Sequence, residues 1–301
     1  MAADAALPSI NGELFVYKTG MTMAAFLSRP DPATEPRGVV VLVPGLTDGL
    51  LCPRSYAAAL AKTVVAKGWA FVQPVLSSSY LGYGVNSLDK DAEELDALLA
   101  SPQLSSFDSV ALVGHSTGCQ DAVHYLKVGK HKDRIVLAVL QAPCSDREAM
   151  NLEAERAGAA DLLEAARTKA RTAVAAGQGD ALMDRATVCT YGTPITADRF
   201  NSLAGRMTQD DMFSSDLSDA ELVTKLGHVG ATRAVLHVVY SGSDEFQPPA
   251  LDKAAHAARL CTASKAIKTT WAIIEGASHG LDESAHASQF VNIVELALDS
   301  C

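Results

Sequence analysis

Residues 39–43, Val-Val-Val-Leu-Val, contain no polar side chain and end at Pro44-Gly45. A strand that alternates polar and apolar residues can leave one face in water. One that is apolar at every position needs cover on both faces, as a central strand of a parallel sheet has. The chain repeats this signal in a regular rhythm. Residues 55–67 read as an Ala/Leu-rich helix ended by Gly68, 69–75 as a strand, and 88–100 as an acidic helix ended by Ser101-Pro102. Residues 110–113 read as a strand, 117–128 as a helix ended by Gly129, and Ile135–Gln141 as another strand. Strands alternating with helices of about a dozen residues specify βαβ units and an α/β fold with a mostly parallel sheet. Two shorter runs, Glu13–Lys18 and Met23–Ser28, come first, and the Thr19-Gly20 between them suits a hairpin.

The rhythm breaks near residue 146. Residues 146–230 carry helical and loop signals and no convincing strand; 147–176 read as one or two helices, with a break at Gly177-Gln178-Gly179. The β pattern resumes at 234–240, followed by a helix over 249–260, a strand over 268–274 and a last helix over 283–298. The expected organisation is one α/β core made of residues 1–145 and 231–301, with 146–230 inserted as a helical lid over the ligand edge of the sheet.

A net charge of −10 over 301 residues argues against nucleic acid or an anionic membrane surface as partner, because both need clustered Lys and Arg. No apolar run reaches bilayer length, and the first residues lack a basic segment leading into an apolar one. The six cysteines are scattered without a C-x-x-C pair, a pattern that suits reduced thiols. Together these predict a cytosolic protein, and the pattern implies no metal or organic cofactor.

Gly114-His115-Ser116-Thr117-Gly118 matches G-x-S-x-G. Five residues alone prove little, but a buried-strand pattern precedes them and a helix pattern follows. That is the setting of a nucleophile elbow, and a plain glycine-rich turn is the competing reading. The flanking glycines leave space for the tight turn, and the helix start aims N–H groups at a developing negative charge. A serine hydroxyl needs a positioned base, and this elbow supplies partners in the order Ser, acid, His. His256 and His286 fall inside predicted helices. His279 follows the last strand on the loop Glu275-Gly276-Ala277-Ser278-His279-Gly280, so it is the predicted base. Asp244, the first carboxylate after strand 234–240, is the predicted acid, with Glu245 as the fallback. The backbone of Thr117 and that of Leu46, in the loop after Val39–Val43, are the expected oxyanion donors, although that loop could also be a simple turn. Cys119 reads as an inert buried thiol.

Beyond this site, the chain resembles a eukaryotic group of α/β hydrolases catalogued as a domain of unknown function, which includes fungal esterases of fusarinine-type siderophores. The resemblance rests on residues 45–50 (GLTDGL), 77–84 (SSSYLGYG), 114–121 (GHSTGCQD), 141–149 (QAPCSDREA), 210–216 (DDMFSSD) and 241–246 (SGSDEF). It implies the α/β-hydrolase fold and ester hydrolysis through Ser116, Asp244 and His279. It also makes Ser79 and Tyr80 candidate pocket residues, and Asp210, Asp211 and Asp216 candidate carboxylates for substrate amines. Helix capping, or ion pairing to Arg199 or Arg206, is the favoured explanation of those acids. The Asp146-Arg147-Glu148 segment could hold the lid hinge or contact substrate.

The leading expectation is a serine esterase acting on a small-molecule ester through an acyl-enzyme. A binding protein that keeps the same pocket without turnover, and an acyltransferase on the same three residues, are the alternatives.

Overall fold

A computed structural model describes residues 9–20, 22–184 and 193–301. The eight strands anticipated from the sequence form one sheet. They are β1 (Glu13–Lys18), β2 (Met23–Ser28), β3 (Val39–Val43), β4 (Ala70–Pro74), β5 (Val110–His115), β6 (Ile135–Gln141), β7 (Val235–Ser241) and β8 (Thr269–Ile274), in the order β1-β2-β4-β3-β5-β6-β7-β8. The β1–β2 and β2–β4 pairings are antiparallel and the other five are parallel. This is the mostly parallel, helix-flanked sheet of an α/β hydrolase.

The β3 run is covered on both faces, as its composition requires. Val39, Val41 and Val43 join the core under α2 (Leu88–Leu99), α3 (Gly118–Val128) and α8 (Lys253–Ser264). Val40 and Leu42 join the opposite core under α1 (Ala57–Ala66) and α9 (Ser284–Leu298). Strand β3 pairs in register with β5, Val43 against Gly114, so both strands end at the same edge.

The helix expected at 249–260 starts at Lys253 and runs to Ser264. Pro248 and Pro249 precede it, and the Asp252 side chain accepts from Ala255 N at 2.9 Å, capping the first turn where the prolines cannot. Between β6 and β7 the chain forms α4 (Asp146–Arg156), α5 (Ala160–Ala175), α6 (Ala197–Ala204) and α7 (Asp219–Leu226). Residues 147–176 are thus two helices, parted at Gly158, whose φ of +65° suits glycine. Apolar residues of α4, α5 and α6 pack with Tyr83 in a cluster of their own, including Leu163, Ala166, Phe200 and Leu203. No described helix is long and apolar enough to cross a membrane.

Candidate active site

Ser116 lies between the end of β5 and the start of α3, with φ at +53°. A non-glycine residue in this region carries backbone strain of about 1–3 kcal/mol and persists only where its surroundings fix it. Here Ser116 N donates to Gln141 O at 3.0 Å, and Ser116 O accepts from Cys119 N at 2.9 Å. The surrounding glycines are needed for close approach rather than for positive φ. A Cβ on Gly114 would sit 2.3 Å from Gly118 O, one on Gly118 would sit 2.3 Å from Val43 O, and one on Gly45 would sit 2.9 Å from Ser116 Cβ.

Asp244 and His279 arrive from the loops that follow β7 and β8. His279 Nδ1 lies 2.8 Å from Asp244 Oδ2, and Phe246 N donates to the other carboxylate oxygen at 3.0 Å. With Nδ1 engaged by Asp244, Nε2 is the nitrogen left to accept a proton. Glu245, the fallback acid, meets the same residue differently: its Oε2 accepts from the main-chain N–H of His279 at 2.9 Å. Two adjacent carboxylates thus hold one histidine, one by its ring and the other by its backbone. The Phe246 ring meets the imidazole edge-on, with centroids 4.8 Å apart.

The loop after β3 folds over the elbow. Asp48 Oδ2 accepts from Gly45 N at 3.2 Å, Asp48 N donates to Gly45 O at 3.2 Å, and Asp48 O accepts from Tyr80 N at 3.0 Å. These bonds shape the backbone that presents Leu46. Burial pushes the Asp48 carboxyl above its usual range.

Ser116, His279 and Leu46 line one cavity of about 470 Å³, a volume suited to a small organic ligand. Gly45, Thr47, Asp48, Tyr83 and His115 also line it, and Asp146, Met150, Glu153 and Leu203 come from the helices between β6 and β7. Thr117, the other expected donor residue, immediately precedes α3 and borders a much smaller void beside Gly45 and Leu46. Cys144 Sγ lies 3.9 Å from Ser116 Oγ. Asp146 opens onto the cavity while Gln120 Nε2 donates to its Oδ2 at 3.0 Å; burial, with the charge of Asp210 nearby, pushes its carboxyl up to about 7. The Asp146-Arg147-Glu148 segment therefore does two jobs. Asp146 faces the cavity, while Arg147 and Glu148 hold residues 211–216 through Asp211, Asp216 and Ser215.

The five residues expected to bind substrate sit elsewhere, and each has a structural partner. Both oxygens of Asp210 accept from Arg199 Nη1, at 2.8 and 2.9 Å. Asp211 accepts from Arg147 Nε at 3.2 Å and Met207 N at 2.6 Å, and Asp216 accepts from Arg147 Nη1 at 3.1 Å. Ser79 Oγ accepts from Leu76 N at 3.0 Å, closing a turn, and the exposed Tyr80 covers Gly49 with its ring. None of the five is among the residues lining the main cavity. Cys119, as expected, is buried with its thiol against Gly114 O and Gln141 O, and burial pushes its pKa well up. Sequence reasoning did not single out His115, Cys144 and Met150 as cavity residues, or Asp48 as the brace of the loop. Their signal was position beside the motifs rather than chemistry.

A doubly covered sheet, a strained serine at a strand–helix turn and a carboxylate-bound histidine facing one cavity define an ester hydrolase of the α/β-hydrolase class. The chain belongs to the family described as protein of unknown function (DUF1749), whose model matches residues 5–298. It is 33% identical over 306 residues to the fusarinine C esterase sidJ of Aspergillus fumigatus, covering 84% of this chain and 86% of that protein. It is also 27% identical over 314 residues to an esterase of Emericella nidulans, AN6793, covering 85% of this chain and 83% of the relative. Among solved structures it is similar to the siderophore hydrolase EstB of Aspergillus fumigatus, with a TM-score of 0.81 at 29% identity over 97% of this chain and 98% of the other.

Proposed function

We propose that Ser116, His279 and Asp244 hydrolyse a small-molecule carboxylic ester through an acyl-enzyme, and that the substrate is a siderophore-type ester. Ser116 Oγ attacks the ester carbonyl as His279 Nε2 takes its proton. The backbone N–H groups of Leu46 and Thr117 receive the oxyanion, and the imidazolium then protonates the departing alcohol. Water repeats the sequence on the acyl-enzyme and releases the acid. Asp244 keeps the ring in the required tautomer and offsets the charge that forms on it. The observation that carries this reading is the 2.8 Å contact between His279 Nδ1 and Asp244, with His279 and Ser116 facing the same cavity. The substrate class rests on the activities named for sidJ and EstB.

The test has two arms. A fluorophosphonate probe is expected to label the wild type and not Ser116→Ala, with hydrolysis of p-nitrophenyl acetate falling about 10⁴-fold or more in that variant. Labelling that survives the substitution would overturn the nucleophile. Fusarinine C, followed by mass spectrometry, tests the substrate. Turnover of the aryl ester alone would leave the mechanism standing and remove the siderophore assignment.

A further inference from the structure

Gln141 is the last residue of β6, a strand that reads Ile-Val-Leu-Ala-Val-Leu before it. Its side chain is fully buried at the meeting point of the elbow, the acid strand and the histidine loop. A buried amide is costly unless its hydrogen-bonding capacity is met. Here all of it is met. Oε1 accepts from His115 Nδ1 and from the Tyr56 hydroxyl, the latter at 3.3 Å. Nε2 donates to Ser241 Oγ at 3.3 Å and to the main-chain O of His279 at 3.1 Å. The main-chain O of the same residue accepts from Ser116 N at 3.0 Å.

We propose that Gln141 is a positioning residue of the hydrolase: its backbone fixes Ser116 and its side-chain amide fixes the His279 loop, setting nucleophile and base in one frame. Without that amide, the two would be referenced to each other only through separate strands. The Oε1 side has a second effect. By accepting a hydrogen bond from Nδ1 of His115, the residue beside the nucleophile, it holds that ring in one orientation, 5.1 Å centroid to centroid from His279. Burial and the charge of His279 push the His115 pKa down to about 3, so that ring stays neutral and does not compete for the proton of Ser116. A leucine at 141 would continue the apolar run of the strand and need no partners. The glutamine contributes a fixed relation between two loops instead.

Two variants separate this role from plain core packing. Gln141→Leu keeps the volume and removes both halves of the amide. Its kcat on p-nitrophenyl acetate should fall about 10²-fold with KM little changed, and fluorophosphonate labelling of Ser116 should slow in step, as for a reacting group displaced by about 1 Å. Gln141→Glu keeps two acceptor oxygens for His115 and Tyr56, but its carboxylate cannot donate to His279 O. Burial raises such a carboxyl. Its protonated form retains one donor and stays active, and its ionised form does not. The pH–rate profile should therefore gain an alkaline limb that the wild type lacks. A folded Gln141→Leu with wild-type kcat, or a Gln141→Glu profile that superimposes on the wild type, would overturn the proposal. If only the leucine variant fails to fold, the glutamate profile decides. Failure of both to fold would assign Gln141 to the core alone and equally overturn the role.

Discussion

The strand ends that carry Ser116 and Asp244 and the helices between β6 and β7 border the same cavity, yet different forces hold them. The strands are β-branched and apolar on both faces, and backbone pairing sets their register. The inserted helices are anchored by cations: Arg199, itself buried, to Asp210 and to Tyr83 O, and Arg147 to Asp211 and Asp216. Hydrophobic burial is non-directional and tolerates small shifts, whereas a buried guanidinium–carboxylate pair has one good geometry and a large penalty when a partner is lost. The strand frame behind the chemistry is thus the forgiving part of the molecule, and the ion pairs that anchor the chamber wall are the exacting part.

Arg199→Met should give the largest effect. It leaves Asp210 buried without its cation and costs about 3–5 kcal/mol. If the two regions differ as described, the loss is local: hydrogen exchange should accelerate in α5 and α6 while β3 and β5 stay protected. Uniform acceleration would erase the distinction. Leu42→Ala, in the core between the sheet, α1 and α9, should cost about 3 kcal/mol from lost contacts and the cavity left behind. That loss should appear as one cooperative shift of the urea transition, with all strands affected alike.

The third effect is smaller and depends on pH. Asp146, on the insertion side, has a folded pKa raised from 3.8 to about 7, so the folded chain holds a proton that the unfolded chain gives up. Its contribution is complete below about pH 3.8 and is lost as pH rises through 7. His115, on the strand side, is lowered from 6.5 to about 3, so its contribution is complete above pH 6.5 and is lost on acidification. Asp146→Asn should therefore raise stability by about 1–2 kcal/mol at pH 8, a gain that shrinks toward pH 4. An equal gain at both pH values would show that the residue acts through packing rather than through its proton.

The strands were legible because both-face burial writes itself into composition: Val39–Val43 admits few other readings. The meeting of Asp244 with His279 was legible from chain order, since the fold brings successive strand ends together whatever the intervening length. Choosing between Asp244 and Glu245 required geometry, because adjacent carboxylates on a loop differ only in where the backbone turns them. For the acids at 210, 211 and 216 the ion-pair reading named Arg199, which meets Asp210, but not Arg147. A sequence shows a carboxylate but not the arginine that will meet it, and Arg147 lies more than sixty residues from Asp211 and Asp216. Gln141 was hidden by its surroundings, a single amide at the end of an apolar strand whose partners come from four separate segments.

The separate cluster formed by Leu163, Ala166, Phe200 and Leu203 has a consequence for descent. Because these side chains pack mostly on one another and not within either core of the sheet, substitutions among them reach the strand ends chiefly through Leu46, which packs against the cluster from the loop after β3. Selection for a new ligand can rework the chamber wall while selection for turnover preserves the strands. Lineages can change their diet without relearning the reaction.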